Sequence, residues 1–154
     1  MVTWIFQANP EKFRINEALL DPEIQERCTW LAEQHGSELA SGQEAFIYRT
    51  GSPNNAIIAR ATILGEYREM LPAPHVYEYW TEESKEDESL KRRRPRIFIK
   101  IEEIAPDLIG IPYSKLKISK IPVGLQGQTN IKIKYSKEVD IIRKKWSDLN
   151  PQSV

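Results

Sequence analysis

The run Ile97-Phe98-Ile99-Lys100-Ile101-Glu102 alternates cleanly, with isoleucine at every second position. Successive strand side chains point to opposite faces, so this run reads as a strand with one face in a core. It constrains the whole chain, because a strand needs neighbours to pair with. Other segments qualify as those neighbours. Val2 to Gln7 is rich in strand formers, alternates weakly, and is ended by Pro10. Phe46 and Tyr48 point one way and Ile47 and Arg49 the other, as in a half-buried strand. Ile57 to Leu64 follows as its antiparallel partner, across the turn-rich segment Thr50-Gly51-Ser52-Pro53-Asn54-Asn55. That loop is longer than a minimal hairpin and can project over a site. Leu116 to Ile118 and Ile131-Lys132-Ile133 read as further strands.

Helical signals are fewer. A short turn or helix over 13–20 brings Phe13, Ile15 and Leu19 toward the core. Asp21-Pro22 starts a helix, because Asp can cap and Pro at the first helical position loses no needed N–H. Ile24, Cys28 and Leu31 recur behind it at helical spacing, and Gly36 ends the helix if it reaches that far. Ser136 caps a final helix, with Glu138 and Asp140 in its first turn, Arg143, Lys144 and Lys145 in its last, and Val139, Ile142 and Trp146 as its apolar stripe. Residues 65–96 read as a long mobile connection with a short ordered stretch around His75 to Trp80. Within it, an acidic run from Thr81 to Glu88 precedes the basic run Lys91-Arg92-Arg93-Arg94-Pro95-Arg96. Residues 149–154 read as a loose tail. The expected fold is α+β: a curved mixed sheet or small open barrel flanked by two to three helices.

A chain of 154 residues fits one domain, expected over 1–148, and buries roughly 70% of its unfolded surface. Twenty-two basic and 22 acidic residues cancel. That excludes indiscriminate nucleic-acid binding through bulk charge but not binding through a local patch. A single cysteine, Cys28, rules out an internal disulfide and a cysteine-cluster zinc site. No apolar run approaches the roughly 20 residues that span a bilayer, and no signal-peptide pattern opens the chain. The expectation is therefore a cytoplasmic protein without a membrane partner. Catalytic signals are poor. His35 and His75 sit in no metal-spaced pair, and neither a phosphate-binding glycine loop nor a nucleophile elbow occurs. No cofactor, metal or catalytic residue is expected.

One feature set goes further than composition. The order Thr3-Trp4-Ile5-Phe6-Gln7-Ala8-Asn9-Pro10, a lone Trp30, Ala45-Phe46-Ile47-Tyr48-Arg49-Thr50-Gly51 and Ala56-Ile57-Ile58-Ala59-Arg60-Ala61 resembles the EVE domain, a PUA-like fold related to YTH domains. Gly124-Leu125-Gln126-Gly127-Gln128-Thr129-Asn130 is similar to the family's C-terminal Gln-Gly-Thr-Asn stretch, with Gln128 as an insertion before Thr129. The resemblance covers most of the chain and is weakest over 65–96.

The resemblance implies a PUA-like topology and a pocket holding one modified base. Trp30 then stacks on a flipped base, where pattern alone makes it a core tryptophan. Gln7 and Asn9 read the base edge; the plain alternative for Asn9 is a turn cap. Tyr48, Thr50 and Gly51 line the site, and Arg49 meets a phosphate, against the alternative of a solvated hairpin arginine. Gln126, Gly127 and Thr129 line the pocket, or form a plain loop. Lys91, Arg92, Arg93, Arg94 and Arg96 form a phosphate patch, or a solvated charged loop neutralised by the acidic run. The implied function is non-enzymatic reading of modified cytosine in DNA, in a defence setting with a separate nuclease subunit. Two rivals stand beside it: an RNA-binding module for a modified base, and an interaction subunit docking through residues 82–96.

Overall fold

Every residue of β1 (Thr3–Ala8) is buried, because the strand lies inside the sheet with apolar layers on both faces. It pairs in parallel with β3 (Glu44–Arg49) and antiparallel with β8 (Asn130–Lys132). The computed structural model describes residues 1–154, the side chain of Ser89 excepted. β3 turns into β4 (Ala56–Ile63), which pairs with the eleven-residue β6 (Arg94–Ile104), and β6 carries β2 (Cys28–Leu31) on its other side. The strand order is β2-β6-β4-β3-β1-β8. The short strands β5 (Arg68–Met70), β7 (Ile111–Pro112) and β9 (Gln152–Ser153) attach to β6, β4 and β6 in turn. The sheet curls into a half-barrel. Asn130 Nδ2 on β8 donates to the Leu31 carbonyl on β2 at 2.9 Å, so side-chain bonds link the two outermost strands of this order.

The two faces build two cores. Trp4, Phe6, Ile47, Ala59, Ile97 and Trp30 pack inside the curl. Ile5, Phe46, Tyr48, Ile57 and Ile131 pack outside it, under α6 (Ser136–Asp148) through Val139, Ile142 and Trp146. Burial on both faces explains why β1 and β3 lack the polar alternation of a half-exposed strand. The face of β3 carrying Ile47 and Arg49 is therefore buried, where a half-buried strand was expected. Glu103 fixes α6 against the sheet by accepting from Arg60 Nε at 2.7 Å and Trp146 Nε1 at 3.0 Å.

Five further α-helical segments are short: α1 (Ile15–Ala18), α2 (Pro22–Glu26), α3 (Pro74–Tyr77), α4 (Glu82–Lys85) and α5 (Tyr113–Ile118). Asp21 caps α2 as its sequence predicts, accepting from the Glu23 amide at 2.9 Å. Several expectations are corrected. The helix at Pro22 stops at Glu26, and Cys28 and Leu31 belong to β2; three apolar residues at helical spacing also suit a strand buried on both faces. Gly36 opens a 3₁₀ turn and ends no α-helix. Leu116 to Ile118 is the end of helix α5, with Leu116 buried on the outer core. Ser136 is the first residue of α6 and makes no side-chain cap bond. Residues 65–96 hold β5, α3, α4, a 3₁₀ turn and the start of β6 where a long connection was expected. The tail expected to be loose pairs as β9 with Glu103 and Ile104 of β6.

Gly110 is required by its position. It has φ +74°, and a Cβ there would overlap the Ile57 carbonyl oxygen where β7 crosses β4. No helix among the described residues is long and apolar enough to cross a membrane.

Candidate functional site

The ends of β1, β2 and β3 open into a cavity of about 630 Å³. Gln7, Ala8 and Asn9 end β1, Trp30 and Leu31 end β2, and Thr50 follows β3. The loop 124–129 forms one wall, and Phe13, Val76 and Trp80 form another. Volume and mixed lining suit a small planar ligand. Seven sequence-predicted residues therefore meet in one place: Gln7, Asn9, Trp30, Thr50, Gln126, Gly127 and Thr129.

Trp30 is a core residue that also reaches the cavity wall. It is 8% exposed and packs in the inner core, yet it lines the cavity. Phe6 stacks against it with ring centroids 5.7 Å apart and planes 19° from parallel. The indole is held rigid from behind, which pre-orients its accessible part toward the cavity. Across the cavity, Trp80 packs on Phe13 at 5.0 Å. Its buried indole N–H meets no acceptor among the described residues.

The loop 124–129 is held by two glutamines. Gln7 Nε2 donates to the carbonyls of Leu125 at 2.8 Å and Gln128 at 2.7 Å, and its Oε1 accepts from the Gly124 amide at 2.6 Å. Gln7 thus positions the loop, with both ends of its amide engaged, while it also lines the cavity. Gln34 holds the far end: its Oε1 accepts from the Thr129 amide at 2.9 Å and the Thr129 hydroxyl at 3.0 Å. Asn9 makes the turn cap that its plain reading predicts, accepting from the Glu11 amide at 3.0 Å, which leaves its Nδ2 without an acceptor among the described residues.

Other predicted residues lie elsewhere. Tyr48 faces the outer core, 1% exposed, where burial pushes its phenol up. Gly51 is exposed in the β3–β4 loop and does not line the cavity. Arg49 is buried, and its guanidinium donates to the carbonyls of Asn54 at 2.6 Å and Leu108 at 2.9 Å and to Asn16 Oδ1 at 2.9 Å. It ties loops together, and burial lowers its pKa. The basic run divides. Lys91, Arg92 and Arg93 are exposed, whereas Arg94 and Arg96 lie in β6, and Arg96 is 3% exposed.

Sequence reasoning missed Lys12, Phe13 and Trp80 in the cavity wall and Gln34 as a residue that holds the loop. Trp80 carried a signal, as an aromatic residue closing the one stretch of 65–96 expected to be ordered. Gln34 carried none, because it acts on residues 95 positions away. Among the described residues no three His, Cys, Asp or Glu side chains gather as a metal-ligand set.

The curled mixed sheet, with its outermost strands linked and a cavity at the strand ends, is an α+β fold of the PUA-like kind, and it is similar to the fold of a solved DUF55 domain. The chain superposes on the human THYN1 protein solved in complex with 5-methylcytosine-containing DNA, with a TM-score of 0.62 and 13% identity over 94% of this chain and 98% of that one. It superposes on the DUF55 domain of human thymocyte nuclear protein 1 with a TM-score of 0.59 and 13% identity, covering 93% and 98%. Rpa0253 from Rhodopseudomonas palustris gives 0.59 and 14% identity, covering 97% and 95%. No family model and no curated protein matches the chain.

Proposed function

We propose that this protein is a non-enzymatic reader of a modified nucleobase, most simply a modified cytosine in DNA. The observation that carries this reading is the cavity at the strand ends, where a rigidly backed tryptophan faces a glycine-bearing loop. A target base leaves its duplex, enters, and stacks on Trp30, an interaction worth roughly 1–3 kcal/mol. Its polar edge meets Asn9 and the loop 124–129, where the backbone amides of Leu125, Gln126 and Gly127 have no acceptor among the described residues. Gln7 and Gln34 act indirectly by fixing that loop. Thr50, Gln126 and Thr129 complete the lining.

The flanking strand is gripped by exposed Lys91, Arg92 and Arg93, with Lys12 at the cavity. DNA is favoured over RNA because the similar human protein was solved with methylcytosine-containing DNA. A separate nuclease subunit is the natural partner of such a reader. The protein works as one domain over 1–148, with β9 added to its sheet.

Competition binding at fixed salt tests the reading. Matched duplexes carrying cytosine, 5-methylcytosine or 5-hydroxymethylcytosine are compared with the same sequences as RNA. A tenfold preference for one modified DNA, about 1.4 kcal/mol, is expected. Equal binding to all forms overturns it.

A further inference from the structure

Behind the base cavity lies a second one of about 240 Å³. The two share Lys12, Thr29, Leu31, Val76, Trp80 and Thr129 in their walls, so they adjoin along one seam. Their chemistry differs. The second cavity adds Arg94, Arg96, Ser84 and Asp87.

Arg96 is the informative residue. It is 3% exposed, and one nitrogen of its guanidinium, Nη1, donates to the carbonyls of Met70 and Arg92. Among the described residues no carboxylate pairs with it, and its Nε and Nη2 have no acceptor. A buried cation without a counter-charge is costly, and such groups are normally paired. Burial and the neighbouring Arg94 lower the pKa of Arg96, while the more distant carboxylates Glu33 and Glu69 offset part of that shift. Arg94 is already shared with Glu33, at 2.7 Å. Asp87 lines the same cavity, and Glu33 and Glu69 offset part of the Arg96 charge from a distance; Lys12, which makes no ion pair among the described residues, adds a further positive charge to the wall. The Trp80 indole N–H, buried on the same seam, is a further donor without an acceptor.

We infer that the second cavity is an oxyanion subsite of the base pocket, taking a carboxylate or phosphoryl group joined to the base held next door. Arg96 supplies the fixed charge from below, Arg94 and Ser84 supply donors, and Lys12 closes the group from the solvent side. This inference rests on the base-reader reading. The oxyanion has two sources of the same chemistry: a carboxyl substituent on the base itself, or the phosphodiester beside the flipped nucleotide.

Binding of the full-length protein to three matched duplexes at fixed salt separates them. One carries 5-methylcytosine, one carries 5-carboxylcytosine on the same backbone, and one carries 5-methylcytosine flanked by neutral methylphosphonates. Tenfold tighter binding of the carboxyl form assigns the subsite to the base substituent. Tenfold weaker binding of the methylphosphonate form assigns it to the backbone. In either case Lys12→Ala and Arg94→Gln, which leave the buried guanidinium in place, should reduce the difference at least threefold. Arg96→Gln should abolish it, provided that thermal melting shows a folded protein. Methyl, carboxyl and methylphosphonate duplexes bound alike, yet more tightly than unmodified DNA, would overturn the subsite and leave the reader intact. No preference over unmodified DNA would overturn the reader itself.

Discussion

Replacing Gln7 by alanine tests how the loop 124–129 is held. The side chain makes three hydrogen bonds of 2.6 to 2.8 Å to a loop more than 115 residues away in sequence. A net contribution of roughly 0.5–1.5 kcal/mol each puts the sum at about 1.5–4.5 kcal/mol. Gly124, Leu125, Gln126 and Gly127 are exposed, so the released groups find water and the loss falls in the lower half, about 1.5–3 kcal/mol. Urea denaturation should show that loss as a lower midpoint at constant slope. Hydrogen exchange should rise over 124–128 while β1 stays protected, because its ladders to β3 and β8 are untouched. Modified-base binding should weaken with it. Gln7→Glu keeps the shape but removes both N–H donors facing the two carbonyls, so it should be at least as harmful at neutral pH. A loss below about 0.5 kcal/mol, with unchanged exchange in the loop, would refute the clamp.

Trp30→Phe keeps an aromatic face and should weaken modified-base binding by less than about 1 kcal/mol in anisotropy titrations, whereas Trp30→Ala should weaken it by about 1–3 kcal/mol and destabilise the fold by about 3–5 kcal/mol. Gly110→Ala should cost about 3 kcal/mol or more in urea melts, from left-handed backbone strain plus overlap with the Ile57 carbonyl. For Glu103, burial raises the carboxyl pKa, but hydrogen bonds from Arg60 and Trp146 outweigh it and hold the group below its usual 4.5. The stability it adds is present above that value and lost as pH falls through the folded pKa, so Glu103→Gln should flatten the acid limb of a stability–pH curve. Burial pushes the Cys28 thiol up to about 12, so it should resist thiol reagents at pH 8 until the protein is unfolded.

How much of this was legible in the sequence depended on distance along the chain. Strands with local alternation, such as Ile97 to Glu102, are plain to read, as are the Asp21-Pro22 helix start and the Val139, Ile142 and Trp146 stripe. Leu116 to Ile118 was misread because three residues cannot separate the two periods. Cys28 and Leu31 were misread because a strand buried on both faces loses its alternation. At the site, Trp30, Asn9 and the glycine-bearing loop carry their chemistry in their residue types. The roles of Gln7, Gln34, Arg49 and Arg96 do not appear there. Each was decided by which carbonyls or amides the fold brought within 3 Å of a side chain able to donate or accept in any surroundings.

The central claim is that a modified base enters the cavity beside Trp30. The most direct test is an amide and indole NMR titration of the isotopically labelled protein with a methylcytosine duplex and its unmodified twin. The account predicts that the Trp30 indole signal and the amides of Gly124 to Thr129 shift with the modified duplex alone, while Lys91 to Arg93 respond to both. Shifts confined to Lys91 to Arg93 with either duplex would contradict it.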